Sequence, residues 1–264
     1  MSKSNFHKIN LPLKENLFQE LSSSILFENT GKGRFGKHLV KKDSKGIPIV
    51  RTTTNFLEAN YFFDENHLKI IENIKTKMSE IDSDSLEFNN ALIEIYEKRY
   101  RKMSYHSDQC LDVHPNSYIA LFSCYKNPET LDADFTRKLK IKNKETTEES
   151  EIILSHNSVV LFSISTNSKF VHKIILDNSH RKKPLESENH WLGITFRVSK
   201  NFLQFKNDIP ILPNGEILKF ASENQRKAFF LLKGKENNSE NFIYSEINYS
   251  LSFADTIIPK NTHE

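Results

Sequence analysis

The sequence predicts a β-rich α+β protein: a jelly-roll of two antiparallel sheets with N-terminal helices packed outside it. Three observations lead there. Helical periodicity is concentrated in the first third of the chain. Leu13, Leu17, Leu21 and Ile25 recur at four-residue spacing, and Leu68, Ile71, Ile74, Met78 and Ile81 share one face of a longer stretch, which suits amphipathic helices over 13–27 and 67–81. Beyond residue 90 the pattern changes to short apolar or alternating runs at 91–97, 101–106, 117–124, 151–154, 158–164, 170–176 and 190–198, with polar connectors between them. Such runs read as strands. Finally, no internal repeat and no linker composition interrupts the 264 residues. Helices followed by closely spaced strands indicate a sandwich or barrel with helices outside. A single domain over 1–264 is expected, with a helical and basic-loop part at 1–90, a β core at 91–200 and an extension at 201–264.

The remaining elements follow in order. Residues 28–46 are rich in glycine and lysine and read as a loop. They include Gly31-x-Gly33-x-x-Gly36, formally a dinucleotide fingerprint. That motif requires a strand before it and a helix after it; with a helix expected before it, the match is taken as chance. Residues 47–52 look like a strand. Residues 126–150 form a charged hairpin or insertion, and 177–189 a polar one carrying Arg181, Lys182 and Lys183. A helix near 220–232 and one or two strands near 241–256 complete the chain.

Composition narrows the class. With 37% hydrophobic and 27% charged residues, the chain has enough apolar material for a packed core and is not a disordered polyelectrolyte. Seven glycines against 20 phenylalanines exclude a collagen-like or glycine-repeat chain. The net charge of +3 is a weak lean toward anionic partners, far from a histone-like excess. Two cysteines, Cys110 and Cys124, make no disulfide framework and fit reduced thiols; Cys110 is close enough to the motif described next to be exposed to oxidation there. Neither a leader-like segment nor a run of membrane-spanning length is found, so a soluble, cytoplasmic protein is expected.

The chemistry is concentrated at Tyr105-His106-Ser107-Asp108, at the end of an expected strand. Residues two apart on a strand project to the same face, so His106 and Asp108 aim an imidazole and a carboxylate at one point. By itself this tripeptide also fits an exposed pair. A third ligand from a distant strand would complete the two-histidine, one-carboxylate facial triad, which leaves open positions on non-haem iron. The strand 157–163, the polar turn 165–168 and then Lys169-Phe170-Val171-His172 place His172 on a strand paired with the one before it. His114 and His156 fit surface roles better. The segment Trp191 to Ser199 reads as a strand ending in Arg197, and an arginine beside a hydroxyl is a natural carboxylate clamp.

The order and spacing of these segments resemble the 2-oxoglutarate/Fe(II)-dependent dioxygenase superfamily, and within it the AlkB-like branch. The resemblance covers roughly residues 90 to 200. His106-Ser107-Asp108 leads through His114-Pro115-Asn116 to the strand Ile119–Ser123. The stretch from Val159 to His172 resembles the distal-histidine segment, and Ile194-Thr195-Phe196-Arg197 the last strand. Leu92-Ile93-Glu94-Ile95-Tyr96 resembles the strand whose tyrosine contacts the cosubstrate. The resemblance implies a double-stranded β-helix core, Fe(II) held by His106, Asp108 and His172, and 2-oxoglutarate held by Arg197, Tyr96 and Ser199. Two positions depart from the branch: Trp191 stands where a second arginine is usual, and Glu94 where an asparagine is usual. Both bear on the cosubstrate rather than on the metal.

The implied reaction is hydroxylation, or demethylation when the attacked carbon is bonded to nitrogen. Three substrate readings are open. A nucleic acid or nucleotide would use the basic segments Lys32–Arg51 and Arg181–Lys183, with Trp191 or Tyr61 stacking on a base. A protein side chain or small molecule is the second. The third is a non-catalytic β-sandwich binding module.

Overall fold

In the computed structural model, residues 5–78, 87–101, 103–131, 135–176 and 189–263 are described. In chain order the elements are β1 (His7–Asn10), α1 (Phe18–Ser23), β2 (Glu28–Gly31), β3 (Arg34–Val40), β4 (Ile47–Pro48), β5 (Tyr61–Phe62), α2 (Glu65–Met78), β6 (Asn90–Tyr96) and β7 (Tyr118–Tyr125). There follow β8 (Lys138–Asn143), β9 (Glu149–Ile153), β10 (Ser158–Ser163), α3 (Ile164–Lys169), β11 (Phe170–Ile175) and β12 (Trp191–Arg197). The extension adds β13 (Phe202–Lys206), β14 (Ile209–Ile211), β15 (Lys219–Phe220), α4 (Glu223–Asn238) and β16 (Tyr249–Ser250).

The major sheet runs β1-β10-β7-β12-β6-β3-β2, with β5 beside β3; a minor sheet runs β11-β8-β9. Pairing is antiparallel throughout both, except β5 on β3. The period-2 alternation of side chains divides the major sheet into two buried faces. On one, Ala120, Phe122, Ile194 and Phe196 pack with Ile93 against Leu17, Leu21, Ile70 and Ile74 of the helical side. On the other, Tyr96, Ile119, Leu121 and Trp191 meet Leu139, Ile141 and Ile174 of the minor sheet. Two antiparallel sheets closed over an apolar interior, with helices outside, form the expected double-stranded β-helix.

Several boundaries differ from the sequence reading, each for a physical reason. The first helix shrinks to six residues. Asn16 Oδ1 accepts the Phe18 amide, and Asn157 draws the Leu13 and Glu15 carbonyls out of helical pairing. The basic loop 28–46 is largely the β2–β3 hairpin. Gly33 turns it with a φ of +75°, a conformation that favours glycine. Its basic residues disguised a buried strand: Lys37 is 0% exposed and paired with Glu28. The run 101–106 forms no extended strand among its described residues, only one bridge at His106. The C-terminal helix is longer than expected and starts at a Ser222/Gln225 capping box. The last strands reduce to β16 and a short 3-10 turn at Phe253–Thr256. The end of the 67–81 helix expectation, and most of the 177–189 insertion with Arg181–Lys183, lie outside the described residues.

Asp64 Oδ1 accepts the amides of Asn66 and His67 and so caps α2, whose apolar stripe covers the sheet. We predict that Ile74→Ala, at a fully buried site, lowers unfolding free energy by about 2–5 kcal/mol in urea titration. A loss below about 1 kcal/mol would mean that α2 does not clamp the major sheet.

Candidate metal centre

His106 and His172 are joined by an antiparallel bridge. The His106 amide donates to the His172 carbonyl at 3.0 Å and the His172 amide to the His106 carbonyl at 2.7 Å. Residues paired this way put their side chains on one face, and the two rings stand 4.8 Å apart. Asp108, two residues on, joins them. Its Oδ1 lies 3.4 Å from His172 Nε2 and 3.9 Å from His106 Nε2. One ligand atom from each of the three residues lies within 4.8 Å of the others.

The rest of the Asp108 carboxylate is already committed. Arg197 donates to Oδ2 through Nε at 2.9 Å and Nη2 at 2.6 Å, which turns Oδ1 toward the imidazoles. Burial alone would raise the Asp108 carboxyl, but Arg197, with His172 and His106, holds it well below the usual carboxylate range. It is therefore a carboxylate at neutral pH. Burial, reinforced by the neighbouring His172, pushes the His106 imidazole down against the pull of Asp108, favouring the neutral form that a metal requires. His106 Nδ1 faces the Ser104 carbonyl at 3.0 Å. Donation there leaves Nε2 as the free lone pair, the usual outer support of a ligating histidine.

The segment 106–110 is held from two further sides, by residues the sequence reading did not single out. Asn167 on α3 accepts the Asp108 amide and donates to the Asp108 carbonyl, both at 2.8 Å. From α4, Asn237 accepts the Ser107 amide at 3.0 Å, Lys233 donates to the Ser107 carbonyl at 2.5 Å, and Glu236 accepts the Cys110 amide at 2.8 Å. The extension beyond residue 200 thus braces the segment that carries His106 and Asp108. Asn167 lay in a run read as a plain polar turn, and the α4 residues in a stretch without any motif; neither carries a local signal.

The triad lines a narrow cavity with Arg34, Glu94, Tyr96, Thr195 and Arg197. Tyr96 is fully buried; its hydroxyl donates to Glu94 Oε2 at 2.8 Å. Ser199 does not join them. Its hydroxyl donates to the Ile49 and Asn201 carbonyls at 2.6 and 2.8 Å, so the structure places it in the β12–β13 connection. His114 accepts the Asn116 amide in an exposed turn, and His156 accepts the Tyr125 amide; neither approaches the triad. Both cysteines are free. Burial pushes the Cys110 thiol up to about 12, which keeps it protonated and a poor nucleophile. A larger cavity, about 550 Å³, lies behind the segment, bordered by Ser107, Cys110, Asn167 and α4. It shares no lining residue with the triad's cavity.

Two histidines and a carboxylate on one face form a donor set suited to non-haem iron. The comparisons with known proteins agree. The family model described as the 2OG-Fe(II) oxygenase superfamily matches residues 18–197, and the chain belongs to that superfamily. It is an oxygenase that uses Fe(II) and 2-oxoglutarate. Among solved structures, the chain is similar to OsALKBH1, at 13% identity and a TM-score of 0.41 over 74% of this chain and 98% of that one. It is similar also to a Pseudomonas putida prolyl-4-hydroxylase, at 12% identity and a TM-score of 0.42 over 74% and 92%. No curated protein matches the chain. No helix among the described residues is long and apolar enough to cross a membrane.

The residues present fit the two cofactors. The triad offers three donors suited to Fe(II), and Arg197 Nη1 is buried with no hydrogen-bond partner among the described residues, a donor left over for a carboxylate. If α4 braces the ligands, Asn237→Ala should weaken Fe(II) binding by about 10–100-fold, the usual weight of an outer-shell contact, in anaerobic titration with the fold intact by circular dichroism. Unchanged affinity would reduce α4 to a cover.

Proposed function

We propose that His106 Nε2, Asp108 Oδ1 and His172 Nε2 hold Fe(II), that Arg197 and Tyr96 face the 2-oxoglutarate beside it, and that the protein hydroxylates a C–H bond of a protein side chain or small molecule. One observation carries the metal assignment: three ligand atoms converge within 4.8 Å while the second oxygen of Asp108 is taken by Arg197. When bound, Fe(II) and 2-oxoglutarate would let dioxygen oxidise a C–H bond, one oxygen atom entering the substrate and the other the succinate formed as 2-oxoglutarate loses carbon dioxide. The chain's own work is to hold and orient. The His106–His172 bridge fixes both imidazoles, and Arg197 keeps Asp108 ionised and aimed. Leu92, Leu121, Leu139, Phe162 and Ile174 line the same cavity, which excludes bulk water and shields the oxidant.

The substrate preference rests on what the basic segments do. Trp191 and Tyr61, the two aromatics expected to stack on a base, are 1% and 3% exposed and sit in the core. Lys37 is paired with Glu28, and Arg51 is locked bidentately to Asp112. These groups are spent on the fold, whereas Lys32, Lys42 and Lys45 of the same segment stay exposed; the burial of both stacking aromatics is what weighs against a nucleic-acid lid. Oligonucleotide binding should accordingly be weak and lose little between 50 and 200 mM salt; a steep loss, the mark of several phosphate contacts, would return nucleic acid to the lead.

The test of the reaction class is anaerobic titration with Fe(II) and 2-oxoglutarate, following the visible charge-transfer band of the chelate. The wild type should develop the band and His172→Ala should not. A folded wild type without the band, or an unaffected variant, would refute the ligand assignment.

A further inference from the structure

The two departures from the family pattern, Trp191 and Glu94, occupy adjacent rows of one sheet face. Three strands lie side by side there, with Arg34 opposite Tyr96 and Tyr96 opposite Trp191. In the next row Glu94 stands between Gly36 and Gly193. Trp191 offers nothing to a ligand. Its indole lies across Gly193, where an added Cβ would stand 2.0 Å from the ring, and its Nε1 donates to Ser123 Oγ at 2.7 Å. The guanidinium missing at position 191 is present two strands away in the same row. Arg34 reaches back into the triad's cavity, and Nε and Nη2 donate to Glu94 Oε1 at 2.6 and 2.5 Å. Two strand spacings are about 10 Å, a gap that an arginine side chain and a carboxylate close between them.

The charges in this cavity balance in a suggestive way. Arg197 is matched by Asp108 and Arg34 by Glu94. The protein's own contribution is neutral, so the divalent ion is balanced by a cosubstrate that is itself a dianion. The carboxylate at the far end of that dianion needs a cation, and Arg34 is the second arginine lining the cavity besides Arg197. Glu94 already holds it, as a carboxylate in place of the ligand's own.

We propose that Arg34, supplied by β3, grips the distal carboxylate of the cosubstrate, and that Glu94 is the internal competitor which that carboxylate must displace. This rests on the metal and cosubstrate reading above. It makes Arg34 the residue that selects a dicarboxylic 2-oxo acid over a monocarboxylic one. It also makes Glu94 a device that weakens cosubstrate binding, because two carboxylates contend for one guanidinium and like charges at close range repel.

The experiment compares 2-oxoglutarate with 2-oxobutyrate, which keeps the chelating end and lacks the distal carboxylate. Binding of each to the Fe(II)-loaded protein is followed anaerobically by calorimetry and the charge-transfer band, for wild type, Arg34→Gln, Arg34→Lys and Glu94→Gln. The wild type should prefer 2-oxoglutarate. Arg34→Gln should cost about tenfold or more on 2-oxoglutarate, the weight of a charge-assisted pair, while 2-oxobutyrate stays within about twofold, so that discrimination collapses. Arg34→Lys, which keeps the charge without the fork, should restore part of it. Glu94→Gln should tighten 2-oxoglutarate binding and leave 2-oxobutyrate unmoved. Unchanged discrimination in Arg34→Gln, or equal losses for both acids, overturns the assignment of Arg34; weaker 2-oxoglutarate binding in Glu94→Gln overturns the competitor role. A wild type that binds neither acid fails at the earlier step, the cosubstrate reading itself.

Discussion

The reciprocal pairing of the His106 and His172 backbones is the constraint on which the site depends. His172 belongs to the minor sheet, held along its length by β8. The segment bearing His106 and Asp108 has no ladder of its own among the described residues, and this bridge is its backbone pairing to the minor sheet. Two backbone hydrogen bonds contribute only about 0.5–1.5 kcal/mol each, but they fix direction. They set both imidazoles on one face and leave Asp108, two residues on, nowhere to point but between them and Arg197. The contacts from Asn167 and α4 then act on a segment whose orientation is already decided.

The second organising fact is that the major sheet is buried on both faces and uses each differently. The helical side is mostly apolar, with Lys37, opposite Ile93 and paired with Glu28, as a buried charge at its β3 end. The side toward the minor sheet mixes apolar residues with Arg34, Glu94, Asp108 and Arg197. Buried ions are costly to desolvate, and a pair often returns no more than it loses. Their presence is therefore explained better by ligand chemistry than by stability. The Arg51–Asp112 pair is the structural counterpart. Arg51 also donates to the Ile247 carbonyl at 2.5 Å and so ties the C-terminal extension to the strand connections behind the metal segment.

What the sequence disclosed was local. The His-x-Asp spacing, the distal histidine on its own strand and the terminal arginine of β12 can each be read from a few neighbouring residues, and the structure brings all four side chains together. The strands β6, β7, β10, β11 and β12 were legible as short apolar or alternating runs, whereas β8 lay in a stretch read as a charged hairpin or insertion. The hairpin β2–β3 was hidden because its inward residues are basic, and hydrophobic periodicity registers no buried lysine or arginine. The supports were hidden for another reason: Asn167 meets Asp108 across 59 positions, Asn237 meets Ser107 across 130, and Arg34 meets Glu94 across 60. Contacts of that range leave no trace in a single sequence. Ser199, two positions from Arg197, was read as its partner in carboxylate binding. The chain bends after β12, and the Ser199 hydroxyl turns instead to the carbonyls of Ile49 and Asn201.

The most direct test of this account is a crystal structure of the protein grown with Mn(II) in place of Fe(II). The account predicts one ion bound by Nε2 of His106, Nε2 of His172 and Oδ1 of Asp108 alone, with Oδ2 still held by Arg197 and the His106–His172 bridge intact. An ion bound through both oxygens of Asp108, with Arg197 displaced, or an ion held by other residues, would contradict it.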